Sequence, residues 1–266
     1  MRIATWNVNS IRARYERVCA FLERENIDVL AIQETKCLPE QFPDEPFTAA
    51  GYEVAAHGAN QWNGVAIISR VGLKDVQRDF PGQPAYGNPG KEPVVEPRAI
   101  SAKCGGVQVF SLYVPNGREL SHPHYRYKLS WLGRLREYAS SLLEVDSQAE
   151  ITLMGDWNIA PFDQDVWDME VFAGSTHVSR PEREAFFAFA DAGFTEVTRD
   201  LFDQYTYWDY KQLRFPRNEG MRIDFAYCSS ALAKRVTGAQ SLREERKGKG
   251  ASDHVPVILE VAPKNH

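Results

Sequence analysis

The sequence predicts an α/β fold of two packed β-sheets flanked by helices. Three observations carry that expectation. Short β-type runs outnumber helical segments along the chain. Hairpin signals interleave with the helices, which argues against a regular βαβ repeat. Carboxylates and amides stand at the ends of several apolar runs, so the strands converge on one polar cleft of oxygen ligands, the kind of site that binds hard cations and works on phosphate esters.

The first run, Ile3–Trp6, leads into Asn7. Ser10 is placed to cap a helix whose apolar positions Ile11, Tyr15, Val18 and Leu22 keep a 3.6-residue period. Val29–Ile32 is the next strand and ends in Gln33-Glu34. Val65–Ser69 follows the turn Trp62-Asn63-Gly64. Pro81 to Arg98 holds five prolines and three glycines and reads as a long ordered loop or a flexible flap. Ala99–Ala102 and Val107–Val114 flank Gly105-Gly106 as a hairpin. Leu129, Leu132, Leu135, Ala139 and Leu142 mark a second long helix. Ile151–Met154 runs into the tight turn Gly155-Asp156-Trp157-Asn158. Pro181 suits the first turn of a helix through Ala185–Ala192. Ile223–Cys228 and Val255–Val261 complete the strands. Trp6-Asn7 and Trp157-Asn158 both follow strands, an internal echo that points to a duplicated sandwich; Trp62-Asn63 precedes one and does not fit it.

With 266 residues, 43% of them hydrophobic, and no recognisable linker, one domain spanning 1–266 is expected. Mean hydropathy is −0.43. No apolar stretch approaches the ~18 residues of a membrane span, and a strand begins almost at once with no leader, so a cytoplasmic location is expected. The four cysteines are scattered, with no CxxC pair and no histidine at zinc-ligand spacing, as for reduced thiols. A formal net charge of −5 argues weakly against a nucleic-acid partner. Three basic clusters soften that point: Arg12, Arg14 and Arg17; Lys211, Arg214, Arg217 and Arg222; Arg243, Arg246, Lys247 and Lys249.

Glu34 ending a buried strand is costly unless paired or bound to a cation. Asp224 lies inside an apolar strand; it either orients a histidine such as His254 or forms a structural ion pair with Arg222, with little to choose between them. His57, His122, His124, His177 and His266 are read as surface residues. Gly248-Lys249-Gly250 lacks the spacing of a phosphate loop.

Six motifs occur in one order: Thr5-Trp6-Asn7-Val8-Asn9, Gln33-Glu34-Thr35-Lys36, Tyr113-Val114-Pro115-Asn116-Gly117, Gly155-Asp156-Trp157-Asn158-Ile159, Arg222-Ile223-Asp224 and Ser252-Asp253-His254. Together they closely resemble the exonuclease III family of apurinic/apyrimidinic endonucleases, over nearly the whole chain from Arg2 to Val261. The resemblance implies a four-layered αββα sandwich, DNase I-like, with two packed mixed sheets. It implies Mg²⁺-dependent hydrolysis of DNA phosphodiesters, with Mn²⁺ able to substitute. The expected activities are 3′→5′ exonuclease action on duplex DNA, incision 5′ to abasic sites and removal of 3′-blocking groups, by a monomer.

Site roles follow from the same resemblance. Glu34 matches the main metal ligand, helped by Asn7 and Asp253. Asp156 matches the carboxylate that activates water or protonates the leaving oxygen, and Asn158 the residue that orients nucleophile or phosphate; both are also candidates for a second metal position. His254, held by Asp224, would contact a phosphate oxygen, and Tyr113 would stabilise developing charge. Asn116 and Arg12 would hold DNA, while Tyr207, Trp208, Met221 and Ile223 match the segments that form the pocket for a flipped sugar. Ser10 stands where many relatives carry Gly, and Met221 where some carry Trp. The competing readings are another phosphodiesterase or phosphatase of the same superfamily, or a catalytically inert nucleic-acid-binding regulator.

Overall fold

The computed structural model describes residues 1–88 and 90–264, so His266 lies outside the described residues. Two six-stranded mixed sheets make the frame. The first contains β1 (Arg2–Asn7), β2 (Val29–Gln33), β3 (Glu53–His57), β4 (Val65–Ser69), β11 (Val236–Ser241) and β12 (Val257–Val261), in the order β11-β12-β1-β2-β4-β3. The second contains β5 (Lys74–Arg78), β6 (Ala99–Cys104), β7 (Val107–Tyr113), β8 (Ile151–Asp156), β9 (Phe194–Glu196) and β10 (Asp224–Ser229), in the order β5-β6-β7-β8-β10-β9.

Each sheet has one parallel pair at its centre, β1 with β2 and β7 with β8, and antiparallel neighbours on both sides. A parallel pair needs a crossover. Helix α1 (Ile11–Arg24) makes it in the first sheet and α3 (Pro123–Val145) in the second. The chain then repeats itself: α2 (Asp44–Ala49) leads to edge strand β3, and α5 (Arg180–Asp191) leads to edge strand β9. The duplication is therefore real, but its register differs from the Trp-Asn echo. Strand β8 corresponds to β2, so Asp156 matches the Gln33-Glu34 end, and Trp6-Asn7 has its counterpart at the end of β7.

Three apolar layers bind the four structural ones. Ile3, Val29, Ala31 and Ile67 meet Ile100, Val109, Met154 and Ala226 between the sheets. Val18, Phe21 and Leu22 of α1 cover Trp6, Leu30 and Ile32. Trp131 and Leu135 of α3, with Phe186 and Phe189 of α5, cover Phe110, Leu153 and Phe225. The inner strands thus bury both faces, which explains their unbroken apolar runs.

Several local expectations change. Ser10 makes no side-chain cap; it sits at φ 93°, a conformation that favours glycine, and its N–H donates to the Glu34 carbonyl at 2.7 Å. The Pro81–Arg98 segment is an anchored loop rather than a flap: Tyr86 bridges Val94, its ring packs on His124 and Tyr127, and Gln83 donates to the Glu96 carbonyl at 2.8 Å. His124 is buried, and His57 pairs with Asp79 at 2.9 Å. Among the described residues no helix is long and apolar enough to cross a membrane.

Candidate active site

The ends of β1, β2, β7 and β8 and the starts of β10 and β12 open on one side of the sandwich. Gly155 is required there by contact: a Cβ would lie 1.9 Å from the Leu112 carbonyl oxygen of the neighbouring parallel strand. That close approach sets Asp156 at the strand mouth, where its carbonyl oxygen accepts from Val114 N–H at 2.9 Å and its Oδ1 accepts from Asn158 N–H at 2.9 Å.

Glu34, Asp156 and His254 present oxygen and nitrogen atoms within 4.8 Å of one another. Asn7 joins the two carboxylates, its Nδ2 donating to Glu34 Oε1 at 2.8 Å and to Asp156 Oδ2 at 3.0 Å. Its Oδ1 accepts from Asn9 N–H at 3.0 Å. Asn7 thus bridges the two carboxylates through its N–H groups, with its oxygen turned to Asn9. Asp253 accepts from Asn9 Nδ2 at 3.2 Å and stands outside the three-residue cluster.

Behind His254, Asp224 Oδ2 lies 2.9 Å from Nδ1 and also accepts from Thr206 Oγ1 at 2.6 Å. His254 Nε2 faces Asp156 Oδ2 at 3.6 Å. This resolves Asp224 in favour of holding the histidine. Arg222, the alternative partner, is buried elsewhere, donating to Thr198 Oγ1 at 2.8 Å with its guanidinium over the Phe202 ring.

The electrostatics of the acids diverge. Burial pushes Glu34 up, but the Lys36 ammonium at 2.7 Å and the Asn7 donor more than offset it, leaving its pKa below the usual range. Burial, with Asp224 and Glu34 nearby, raises Asp156 to about 7 against the opposing pull of His254. Burial opposes charge on His254 too, yet Asp224 and Asp156 raise it to about 10. Tyr113 is raised well above the ordinary phenol value by burial and by Glu34, so it keeps its proton at neutral pH; Arg98 stacks on its ring at 4.8 Å.

Asn158, at φ 50°, donates from Nδ2 to the Val114 carbonyl at 2.9 Å. Its Oδ1 accepts from Asn116 Nδ2 at 3.3 Å and lies 3.1 Å from His177 Nε2. Beneath this loop lies a fully buried ion pair, Lys128 with Glu182 at 2.5 Å. Lys128 Nζ also donates to the Asn158 carbonyl at 2.6 Å, and Glu182 Oε1 accepts from His177 N–H at 3.0 Å. His177, Lys128 and Glu182 escaped sequence reasoning. The signals were present: Lys128 shares the buried stripe of Leu132 and Leu135, and Ser179 with Glu182 spells a capping box.

The expected pocket segment is divided. Met221, Ile223 and Tyr207 gather with Val166 and Val178 in one apolar cluster, and the Tyr207 ring lies 4.9 Å from that of His254. Ile223 is itself buried. Trp208 is only 1% exposed and packs on Phe215, so it braces the segment from beneath rather than offering a face to DNA. Arg12 is exposed on α1. Of the other basic residues, Arg17 is taken by Glu245, Arg214 and Arg217 by Glu219, and Arg243 and Arg246 stack on Phe215.

Residues 4–254 match the model of the Endonuclease/Exonuclease/phosphatase family. The chain is 31% identical to an exodeoxyribonuclease of Bacillus subtilis, covering 97% of this chain and 98% of that one. Its fold matches an AP endonuclease from Archaeoglobus fulgidus with TM-score 0.88 at 32% identity, over 98% and 99% of the two chains. It matches the 3′–5′ exonuclease NExo of Neisseria meningitidis with TM-score 0.90 at 33% identity, over 98% and 100%.

Proposed function

Because this chain belongs to the endonuclease/exonuclease/phosphatase family, and within it to the exonuclease III group of AP endonucleases, we propose that it is a DNA repair nuclease hydrolysing phosphodiesters of double-stranded DNA. Its reactions are 3′→5′ exonuclease action, removal of 3′-blocking groups and incision 5′ to abasic sites, by a cytoplasmic monomer acting as one domain. The observation that carries this reading is the line Asp224–His254–Asp156 set beside Glu34 and joined to it by Asn7.

The donor chemistry suits a hard divalent cation, Mg²⁺ or Mn²⁺. Glu34 stays ionised, and two carboxylates with an amide-rich surround favour oxygen coordination over zinc. Glu34 would be its principal holder, with Asp253 at the margin and Asp156 beside it on the proton-handling side. Such an ion neutralises phosphate charge and polarises the scissile group. The protein groups do the rest. Asp156, near pKa 7, takes or gives a proton at the reacting oxygens. His254, kept cationic by Asp224, pairs with a non-bridging phosphate oxygen. Protonated Tyr113 and the second N–H of Asn158 donate to the same charge as it grows. Enhancement toward the upper part of the ~10⁶–10¹⁷-fold range needs all of these together.

A duplex oligonucleotide bearing a tetrahydrofuran abasic analogue tests the proposal, beside a duplex with a recessed 3′ end. Cleavage with Mg²⁺ and its loss in EDTA are expected. Intact substrate in both lanes, at high enzyme and with either Mg²⁺ or Mn²⁺, would sink it.

A further inference from the structure

Trp62 stands out from the other features of the surface. It is 63% exposed, although its turn is paired with the segment that follows Glu34. The turn that carries it is tied down on two sides. Lys36 N–H donates to the Asn63 carbonyl at 3.0 Å, and Thr35 N–H to the Gly64 carbonyl at 3.1 Å, so the turn is laced to the segment that follows Glu34. Gly64 N–H donates to the Pro97 carbonyl at 3.0 Å, which fixes it to the end of the proline-rich loop. Gly64 is seated so closely that a Cβ would lie 2.1 Å from Thr35 Oγ1. The indole is therefore held out in solvent by a rigid mount.

Between Trp62 and the end of the proline-rich loop runs a groove of about 680 Å³. Trp62, Val94 and Val95 make its apolar walls, and all three are well exposed. Asn60, Asn63 and Asn88 supply amide groups, Arg118 supplies a guanidinium that donates to Asn88 Oδ1 at 3.1 Å, and the lining carboxylate of Glu96 is neutralised by Arg98 at 2.6 Å. Arg118 joins the groove to the other half of the site: its N–H donates to Asn116 Oδ1 at 3.1 Å, and Asn116 in turn donates to Asn158. A flat aromatic face, amides able to pair with base edges and one guanidinium for a phosphate form the recognition set of a nucleotide in single-stranded form.

We propose that this groove is a base-stacking subsite that receives an unpaired nucleobase of the DNA beside the cleavage point, with Trp62 as the stacking face. The inference rests on the nuclease reading above and deepens it: it makes the enzyme sense melted ends, where a base is free to leave the helix. Stacking of one base on an aromatic side chain contributes ~1–3 kcal/mol, which corresponds to roughly 5- to 150-fold in affinity.

Two duplexes with identical recessed 3′ ends test it, one fully paired and one with mismatched terminal bases. Trp62→Ala should raise KM on the mismatched duplex about 10-fold while kcat holds, with little change on the paired one; Trp62→Phe should restore most of the loss. Unchanged KM of Trp62→Ala on the mismatched duplex overturns the proposal, and so does an equal rise on both duplexes. A second measurement needs no turnover. In EDTA, a single-stranded oligonucleotide should quench tryptophan emission in the wild type more than in Trp62→Phe. Quenching without any hydrolysis keeps the subsite and sinks the nuclease reading. Hydrolysis with no Trp62-dependent quenching or KM change does the reverse.

Discussion

Glu34 and Asp156 end equivalent strands of a doubled fold, β2 and β8, yet their environments push them in opposite directions. Glu34 has an ammonium at 2.7 Å and is held ionised. Asp156 is buried against other acids and is raised to about 7. The same backbone solution sits in two electrostatic settings: a carboxylate held ionised on one sheet and one raised to about 7 on the other. Two carboxylates whose surroundings separate their pKa values are how one site divides acid–base work from charge stabilisation. The supports differ as well. The Glu34 half rests on an ion pair with Lys36 that is partly open to solvent, whereas the Asp156 half stands over the buried Lys128–Glu182 pair.

The largest expected effect separates the two acids directly. Asp156→Asn should lower kcat on the order of 10³-fold with DNA binding retained, and added Mn²⁺ should not rescue it. Glu34→Gln should lose activity that high Mn²⁺ partly restores, with weakened Mn²⁺ binding by calorimetry. If both variants respond alike to metal, the division of roles is wrong.

The second effect tests the supports. Lys128→Met should destabilise the fold by ~3–5 kcal/mol in urea titrations, because Glu182 is left buried and uncompensated. Adding Glu182→Leu should recover much of that loss, since an apolar pair of similar volume is often neutral. A single variant as stable as wild type would show that the pair is not buried as described.

A smaller effect concerns the histidine mount. Thr206→Val removes one donor from Asp224, whose Oδ1 has no hydrogen-bond partner among the described residues. The loss should be about 1.5–3 kcal/mol by thermal unfolding, and none if solvent replaces the hydroxyl.

The smallest concerns pH. His124 is held neutral, with its pKa lowered to about 3 by burial and by Arg98. A depressed value favours folding above the unfolded pKa, so stability should fall as pH drops from 6.5 toward 3, by no more than ~1.4 kcal/mol per pH unit. Chemical denaturation at pH 7 and 5.5 should show a shallower decline for His124→Gln than for wild type. Equal slopes would remove His124 from the account.

What could be read in the sequence follows burial closely. The eight strands legible as apolar runs are the inner strands of both sheets. The four edge strands, β3, β5, β9 and β11, were invisible because edges carry exposed polar residues: Lys74–Arg78 is almost wholly exposed. The site was legible where chemistry sits at strand ends, as with Glu34, Asp156, Asp224 and His254. It failed where a residue takes its role from tertiary neighbours. His177 looked like a loop histidine, and only the fold brings it to 3.1 Å from Asn158. Asn7 was recognised, but which face of its amide meets the carboxylates depends on Asn9 N–H claiming the oxygen.

The closing of the first sheet has a temporal meaning. Strands β5–β10 are contiguous in the chain, so the second sheet can be assembled from one continuous stretch. The first sheet needs β12 to pair with β1, joining residues from opposite ends of the chain. A chain lacking Val257–Val261 carries Glu34 and Asp156 without the strand that completes the first sheet beside them. Strand order alone thus makes completion of the cleft wait on the pairing of β12 with β1.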